Sequence, residues 1–165
     1  MVATSILVTG ATGYIGSQVL LELLDRFGGD GFRLRALVRN SSDCSVFSGF
    51  PVEIIRGDLL DIFSLGEAFS GVDTVFHCAG LISYSRRFRR RLYDVNVVGT
   101  RNVVNTCIAH RVRRLVMTSS IAALGVADDG SAATETTPFR ESQRRNGYMD
   151  AKHLAELEEI GRAHV

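Results

Sequence analysis

Ser5-Ile6-Leu7-Val8-Thr9-Gly10-Ala11-Thr12-Gly13-Tyr14-Ile15-Gly16 is an apolar run that passes straight into three glycines spaced three apart. Ile6, Leu7 and Val8 predict a strand, while Ile15, Val19, Leu20, Leu23 and Leu24 recur at helical spacing and predict a helix from Tyr14 to Phe27. Gly10 can leave the strand in a turn closed to a residue with a side chain, and Gly13 lets a pyrophosphate approach the main chain. Gly16 lets the helix lie close on the sheet. The helix would point its free N–H groups and positive dipole end at bound phosphates. Glycine clusters also mark plain turns. A strand before and a helix after make this one read as a dinucleotide phosphate cradle.

The chain has 165 residues, 45% of them hydrophobic, and a net charge of +1, which implies one soluble globular domain able to bury a core on both faces of a sheet. The balanced charge argues against a nucleic-acid-coating protein. The first strand starts close to Met1, leaving no room for a secretory signal, and no apolar run approaches the ~20 residues of a membrane helix. The expected location is the cytoplasm, with no membrane partner. Cys44, Cys78 and Cys107 are far apart and read as reduced thiols. His77, His110, His153 and His164 show no paired ligand spacing, so no metal is expected.

Strand-like runs recur at Ile6 to Thr9, Arg33 to Val38, Val52 to Ile55, Thr74 to Cys78 and Arg114 to Thr118. Helical patterns cover Tyr14 to Phe27, Ile62 to Phe69, Leu92 to His110 and Tyr148 to Glu159, with Ser41 to Gly49 irregular or a short helix. Such alternation, with strands apolar on both faces, predicts an α/β fold: a doubly wound, Rossmann-like parallel sheet of order 3-2-1-4-5 with helices on both faces. Ligand is then expected at the carboxyl ends of strands one and four, where the winding reverses. Ala127 to Arg140, rich in small polar residues, is the one long loop.

Of nineteen basic residues only Lys152 is a lysine, and it stands four positions after Tyr148 in the last predicted helix. Residues four apart share a helix face. A phenol with a pKa near ~10 is a poor proton shuttle at neutral pH, and an adjacent ammonium stabilises its phenolate. Tyr148 could then exchange a proton with an alcohol or ketone oxygen. The plainer alternative is a half-buried aromatic beside a solvated lysine.

Cofactor choice turns on the end of strand two, where an acid would take the ribose hydroxyls of NAD and an arginine the 2′-phosphate of NADP. Arg39 stands there, and a guanidinium pairs with phosphate in a forked geometry. NADP is expected; NAD stays open, because Asp43 is close by and Arg39 can be a plain surface residue. Arg86, Arg87, Arg89, Arg90 and Arg91 crowd the stretch before Leu92, where a positive cluster opposes the helix dipole. They read as a solvated rim near a substrate entrance, with Leu81, Tyr84 and Phe88 as apolar contacts.

Six motifs in order carry a family resemblance over Thr9 to Glu158. They are Thr9-Gly10-Ala11-Thr12-Gly13-Tyr14-Ile15-Gly16, Gly57-Asp58-Leu59, His77-Cys78-Ala79-Gly80, Asn96-Val97-Val98-Gly99-Thr100, Thr118-Ser119-Ser120-Ile121 with Gly125, and Tyr148-Met149-Asp150-Ala151-Lys152. The chain resembles the N-terminal part of an extended short-chain dehydrogenase/reductase, in the epimerase/dehydratase superfamily, closest to the 3β-hydroxysteroid dehydrogenase and dihydroflavonol reductase-like branch.

The resemblance implies a catalytic set of Ser120, Tyr148 and Lys152. Tyr148 is the acid/base, Lys152 lowers its pKa and bonds the nicotinamide ribose, and Ser120 holds the substrate oxygen. It implies cofactor contacts from Gly10, Thr12, Gly13, Tyr14, Ile15, Gly16, Asp58, Leu59, Ala79, Gly80 and Asn96 as well, with Asp58 accepting from the adenine amino group. Each has an ordinary alternative: Ser120 bonding local backbone, Asp58 capping the Ile62 helix, Ala79 and Gly80 making a tight turn, Asn96 a polar residue on an apolar face.

The expected function is an NAD(P)-dependent oxidoreductase acting on a small-molecule carbonyl or secondary alcohol. A sugar-nucleotide epimerase and a non-catalytic NADP sensor are the alternatives, and a homodimer stays open. The family continues into a substrate domain absent here, and Glu159 to Val165 resembles the translation of a sequencing adapter. Residues 1–158 are therefore expected to be an incomplete dinucleotide-binding domain, inactive alone, with 159–165 a scar; a native helix end capped by Gly161 is the alternative.

Overall fold

Five short strands, β1 (Thr4–Thr9), β2 (Phe32–Val38), β3 (Val52–Arg56), β4 (Thr74–His77) and β5 (Arg114–Met117), lie parallel in the order β3-β2-β1-β4-β5. The computed structural model describes residues 4–27, 31–127 and 131–161. Four of the seven residues of the suspected scar, Arg162 to Val165, lie outside them. The chain divides into two compact units, Met1–Ala79 with Asn102–Thr118, and Gly80–Arg101 with Ser119–Val165.

The sheet belongs wholly to the first unit. Alternation along each strand sends successive side chains to opposite faces. Ile6, Val8, Leu34, Ala36 and Val38 meet Leu20 and Leu23 of α1 (Tyr14–Phe27) on one face. On the other, Leu7, Leu37 and Val75 meet Leu65, Ala68 and Phe69 of α2 (Ile62–Phe69), and Val103 and Cys107, which belong to a later helix. Burying a side chain such as Leu20 or Phe69 stabilises by about 1.5–3 kcal/mol. Burial also pushes the Cys107 thiol up to about 12, so it stays protonated. Ser45–Phe47 forms a single 3-10 turn within the 41–49 stretch.

A guanidinium is buried within the sheet. Arg35 is buried in β2, with Nε on Glu53 Oε2 at 2.9 Å and Nη1 on the carbonyls of Ala68 at 3.3 Å and Ser70 at 2.6 Å. Its cation satisfies orphan carbonyls at the end of α2, the end where the dipole favours positive charge.

The second unit is built on helices. Arg86–Phe88 makes a 3-10 turn, α3 spans Arg89–Leu92, a π-helical segment spans Tyr93–Val98, and α4 (Gly99–Ala109) runs on into the first unit from Asn102. The expected start at Leu92 is thus three residues late, and the helix is not uniform. Gly99 N–H donates to Asp94 O, five residues back, which defines the π turn. The last helix, α5 (Gly147–Ile160), starts at Asn146, whose Oδ1 accepts from the N–H of Tyr148 and Met149. Leu92, Val97, Tyr148 and Ala151 form the buried core of this unit, with Leu81, Ala122 and Leu154 packed against it. Gly161 follows α5 at φ −64°, outside the left-handed conformation typical of a glycine cap.

Residues 131–140 of the long loop carry no helix or strand. They are anchored where a Cβ on Gly125 would stand 2.1 Å from Pro138 O, and where the Phe139 ring stacks on His153 at 4.0 Å. Among the described residues, no helix is long and apolar enough to cross a membrane.

Candidate cofactor and catalytic site

The glycine turn begins where β1 ends. Gly10 adopts φ 67°, and a Cβ there would stand 2.6 Å from the backbone of Ala79, so only glycine fits between β1 and the exit of β4. A Cβ on Gly16 would lie 2.2 Å from Gly10 O, which means α1 sits down on the turn itself. Thr12, Gly13, Tyr14 and Ile15 are exposed above this base, at the helix end whose first N–H groups have no intrahelical acceptor. Thr9 is sealed beneath: its Oγ1 is 2.7 Å from His77 Nδ1 and accepts from Ala79 N–H at 3.4 Å.

Arg39 follows β2 with its side chain exposed. Its loop is laced by Arg56, whose Nη1 donates to the carbonyls of Arg39 (2.8 Å), Asn40 (3.3 Å) and Ser42 (3.1 Å). A trans peptide sets C=O and N–H on opposite sides. Turning these carbonyls toward Arg56 therefore turns the N–H groups of Asn40 and Ser41 to the other side of the loop. Asp43 is committed to its own turn: Oδ1 accepts from Ser45 N–H at 2.9 Å, a bond that holds its carboxyl below the usual range.

Asp58 and Leu59 follow β3. Asp58 does not cap α2, contrary to the alternative weighed for it; Asp61 does, accepting from Phe63 N–H at 3.0 Å. Asp58 Oδ1 instead accepts from Leu60 N–H at 2.9 Å, closing a turn that leaves Asp58 exposed. Leu59 O is held by Asn102 Nδ2 at 2.8 Å.

In the second unit Asn96 is 3% exposed and spends its whole amide on one residue, Oδ1 accepting from Leu81 N–H (2.7 Å) and Nδ2 donating to Leu81 O (2.9 Å). A Cβ on neighbouring Gly80 would meet Asn96 Oδ1 at 3.4 Å. The π segment thus presents an asparagine that shapes the chain after β4, a use in keeping with π bulges at functional positions.

Tyr148 is 8% exposed, its ring edge-on to Tyr84 at 5.8 Å. Lys152 stands one turn further on α5. Burial pulls its ammonium down from the ordinary value, opposed by the charge of Glu156. Ser120 Oγ accepts from Ala122 N–H at 3.2 Å, capping the 3-10 turn Ile121–Ala123, so the local-backbone alternative is realised. A hydroxyl that accepts in this way retains its O–H as a donor. Neighbouring Ser119 donates to Glu156 Oε1. The sequence reads Ser119 only as part of the Thr118-Ser119-Ser120 motif and singles out neither Arg56 nor Glu156; of these, Glu156, four residues past Lys152, carries a usable spacing signal.

A parallel sheet wound both ways from β1, with a glycine turn opening α1, defines the dinucleotide-binding class of α/β proteins. Residues 6–161 match the model of the NAD dependent epimerase/dehydratase family, and the chain belongs to that family. It is 40% identical over 135 residues to Sterol demethylase protein B of Methylococcus capsulatus, covering 81% of this chain and 40% of that protein. It is 35% identical to a putative dihydroflavonol 4-reductase of Synechocystis, covering 93% and 43% respectively. A solved short-chain dehydrogenase/reductase superfamily protein of Agrobacterium tumefaciens with bound NAD superposes with a TM-score of 0.71 at 30% identity, over 94% of this chain and 44% of that one. The chain thus spans less than half the length of these relatives.

Proposed function

We propose that the complete gene product is an NAD(P)-dependent oxidoreductase acting on a carbonyl or secondary alcohol, with Tyr148 moving the proton at the substrate oxygen. The nicotinamide supplies or takes the hydride. Gly10, Gly13 and Gly16 leave room for the pyrophosphate, and Thr12, Tyr14 and Ile15 line its approach. Asp58 and Leu59 take the adenine end. Ala79 and Gly80 form the small floor, and Asn96 acts by holding Leu81. Ser120 donates its O–H to the substrate oxygen, and Lys152 stabilises the Tyr148 phenolate.

The observation that carries this reading is the partly desolvated Lys152 one helical turn from the buried Tyr148, on the unit that also holds Ser120. Desolvation strengthens the field of an ammonium at a neighbouring oxygen. NADP is favoured over NAD because Arg39 is exposed on a loop whose carbonyls Arg56 draws away, while Asp43 is occupied with Ser45. Turnover of the complete gene product is compared with that of Tyr148→Phe, using NADPH and NADH with carbonyl substrates. A loss of about 100-fold or more in kcat is expected for a missing general acid. Unchanged turnover would remove Tyr148 from the chemistry, and co-purification of tightly held NAD would favour the epimerase reading.

A further inference from the structure

Ser119 and Glu156 are outside every role assigned above, yet they join the two segments that carry the catalytic set. Ser119 stands two residues past the end of β5 and immediately before Ser120, and its hydroxyl donates to Glu156 Oε1. Glu156 lies one turn beyond Lys152 on α5, on the same face.

Several other charged groups among the described residues of this unit have partners of their own. Asp150 takes Arg144 at 3.3 Å and Arg89 at 3.6 Å. Glu158 takes Arg101 at 2.5 Å, and Tyr93 bonds that same guanidinium. Asp94 is 4.0 Å from Arg90, Glu141 is 3.2 Å from Arg144, and His153 lies against Phe139 and Ala123 O. The charge of Glu156 acts on Lys152 and favours its ammonium.

We propose that Glu156 is a positioning residue: by accepting the Ser119 hydroxyl it ties the segment carrying Ser120 to the helix carrying Tyr148 and Lys152, and it sets a fixed negative charge one turn from Lys152. The proposal rests on the oxidoreductase reading for its meaning. Its physical content is independent of it. Burial alone works against the ammonium, and a lysine that loses its proton can no longer stabilise a phenolate. Glu156 offsets this while its second function, the bond to Ser119, orients the substrate-side hydroxyl.

Lys152 is the single lysine of the chain, so its titration can be read chemically. Competitive acetylation with acetic anhydride across a pH series, followed by mass spectrometry of the Lys152 peptide, gives the midpoint of its reactivity in the folded 165-residue chain. Glu156→Gln keeps an acceptor for Ser119 but removes the charge, and its midpoint is expected below that of the parent chain. Ser119→Ala keeps the charge and removes the tie; its midpoint should stay near the parent value while amide exchange at Ile121 and Ala122 quickens. Glu156→Asp, which keeps both charge and acceptor, should stay near the parent value in both readouts. An unmoved midpoint in Glu156→Gln, or one lowered equally by Ser119→Ala, would overturn the proposal. Full turnover in Tyr148→Phe would instead remove the oxidoreductase reading and leave these midpoints as they are.

Discussion

Thr9 Oγ1 and His77 Nδ1 lie 2.7 Å apart at the carboxyl ends of two adjacent parallel strands, with both side chains sealed from solvent at 0% and 1% exposure. The same oxygen accepts from Ala79 N–H, and the Ala79 backbone is the wall against which Gly10 turns. Thr9→Val keeps the shape and removes the hydroxyl, leaving a buried ring nitrogen and an N–H without that partner. A loss of about 1–3 kcal/mol in unfolding free energy is expected. Urea denaturation reads it as a lower midpoint with an unchanged slope, and Thr9→Ser should recover most of the loss.

Two glycines in helices invite opposite outcomes. Gly16→Ala places a Cβ 2.2 Å from Gly10 O, a backbone atom that cannot swing aside, and the turn or α1 must shift at a cost of about 1–3 kcal/mol. Gly66, inside α2, meets only His110 Nε2 at 3.9 Å, so Gly66→Ala should stabilise by about 0.5–1 kcal/mol through helix propensity. Thermal melts of the two variants, compared with the parent chain, check the signs.

The parts of the molecule governed by local pattern were legible in the sequence. The bounds of α1 and α2, the five strands to within two residues and the sheet order all follow from periodicity and glycine placement. Elsewhere local patterns allowed two answers. The sequence suggests Asp58 as the alternative cap of the Ile62 helix, whereas Asp61 takes that role and Asp58 closes its own turn. The arginines from Arg86 to Arg91 offer no apolar periodicity, so apolar spacing points to a helix start at Leu92 and not at Arg89. The burial of Arg35 depends on carbonyls at the end of α2, more than thirty residues on, which no local pattern shows. The candidate site divides the same way. Its glycine turn and the Tyr148–Lys152 spacing were visible, whereas the Arg56 lacing and the Ser119–Glu156 bond join residues far apart in the chain and left no pattern to read.

Arg39 and Arg56 should separate by readout. If Arg39 pairs with a 2′-phosphate, Arg39→Ala should weaken NADPH binding about 10-fold to 100-fold, the loss of a charge-assisted pair, and leave NADH within about twofold. Arg56→Ala loses the three carbonyl contacts that shape the loop, so it should weaken NADPH binding by a smaller factor. Fluorescence titration of both nucleotides measures the ratio. Equal losses for NADPH and NADH in Arg39→Ala would take away the phosphate preference.

Arg35 offers a purely structural check. Arg35→Leu fills the same side of β2 but leaves the carbonyls of Ala68 and Ser70 without their cation, while Glu53 is half exposed and can turn to water. The expected loss is about 1–3 kcal/mol, with faster amide exchange over the last turn of α2 as its local signature.

Lys152 makes stability depend on pH in a direction that can be worked out. Burial lowers its folded value below the ordinary 10.5, so between those two values the unfolded chain binds more protons than the folded one. Folding therefore carries a penalty from the buried ammonium that is fully present below the folded value. The penalty is relieved as pH rises through that value, and it is gone above 10.5. Lys152→Met has no such group. The stability of the parent chain relative to Lys152→Met should accordingly rise as the pH is taken from neutral into the alkaline range. Urea unfolding of both proteins at a series of pH values measures the difference, and a difference that is flat or falls with pH would mean that Glu156 and the other partners of Lys152 outweigh its burial.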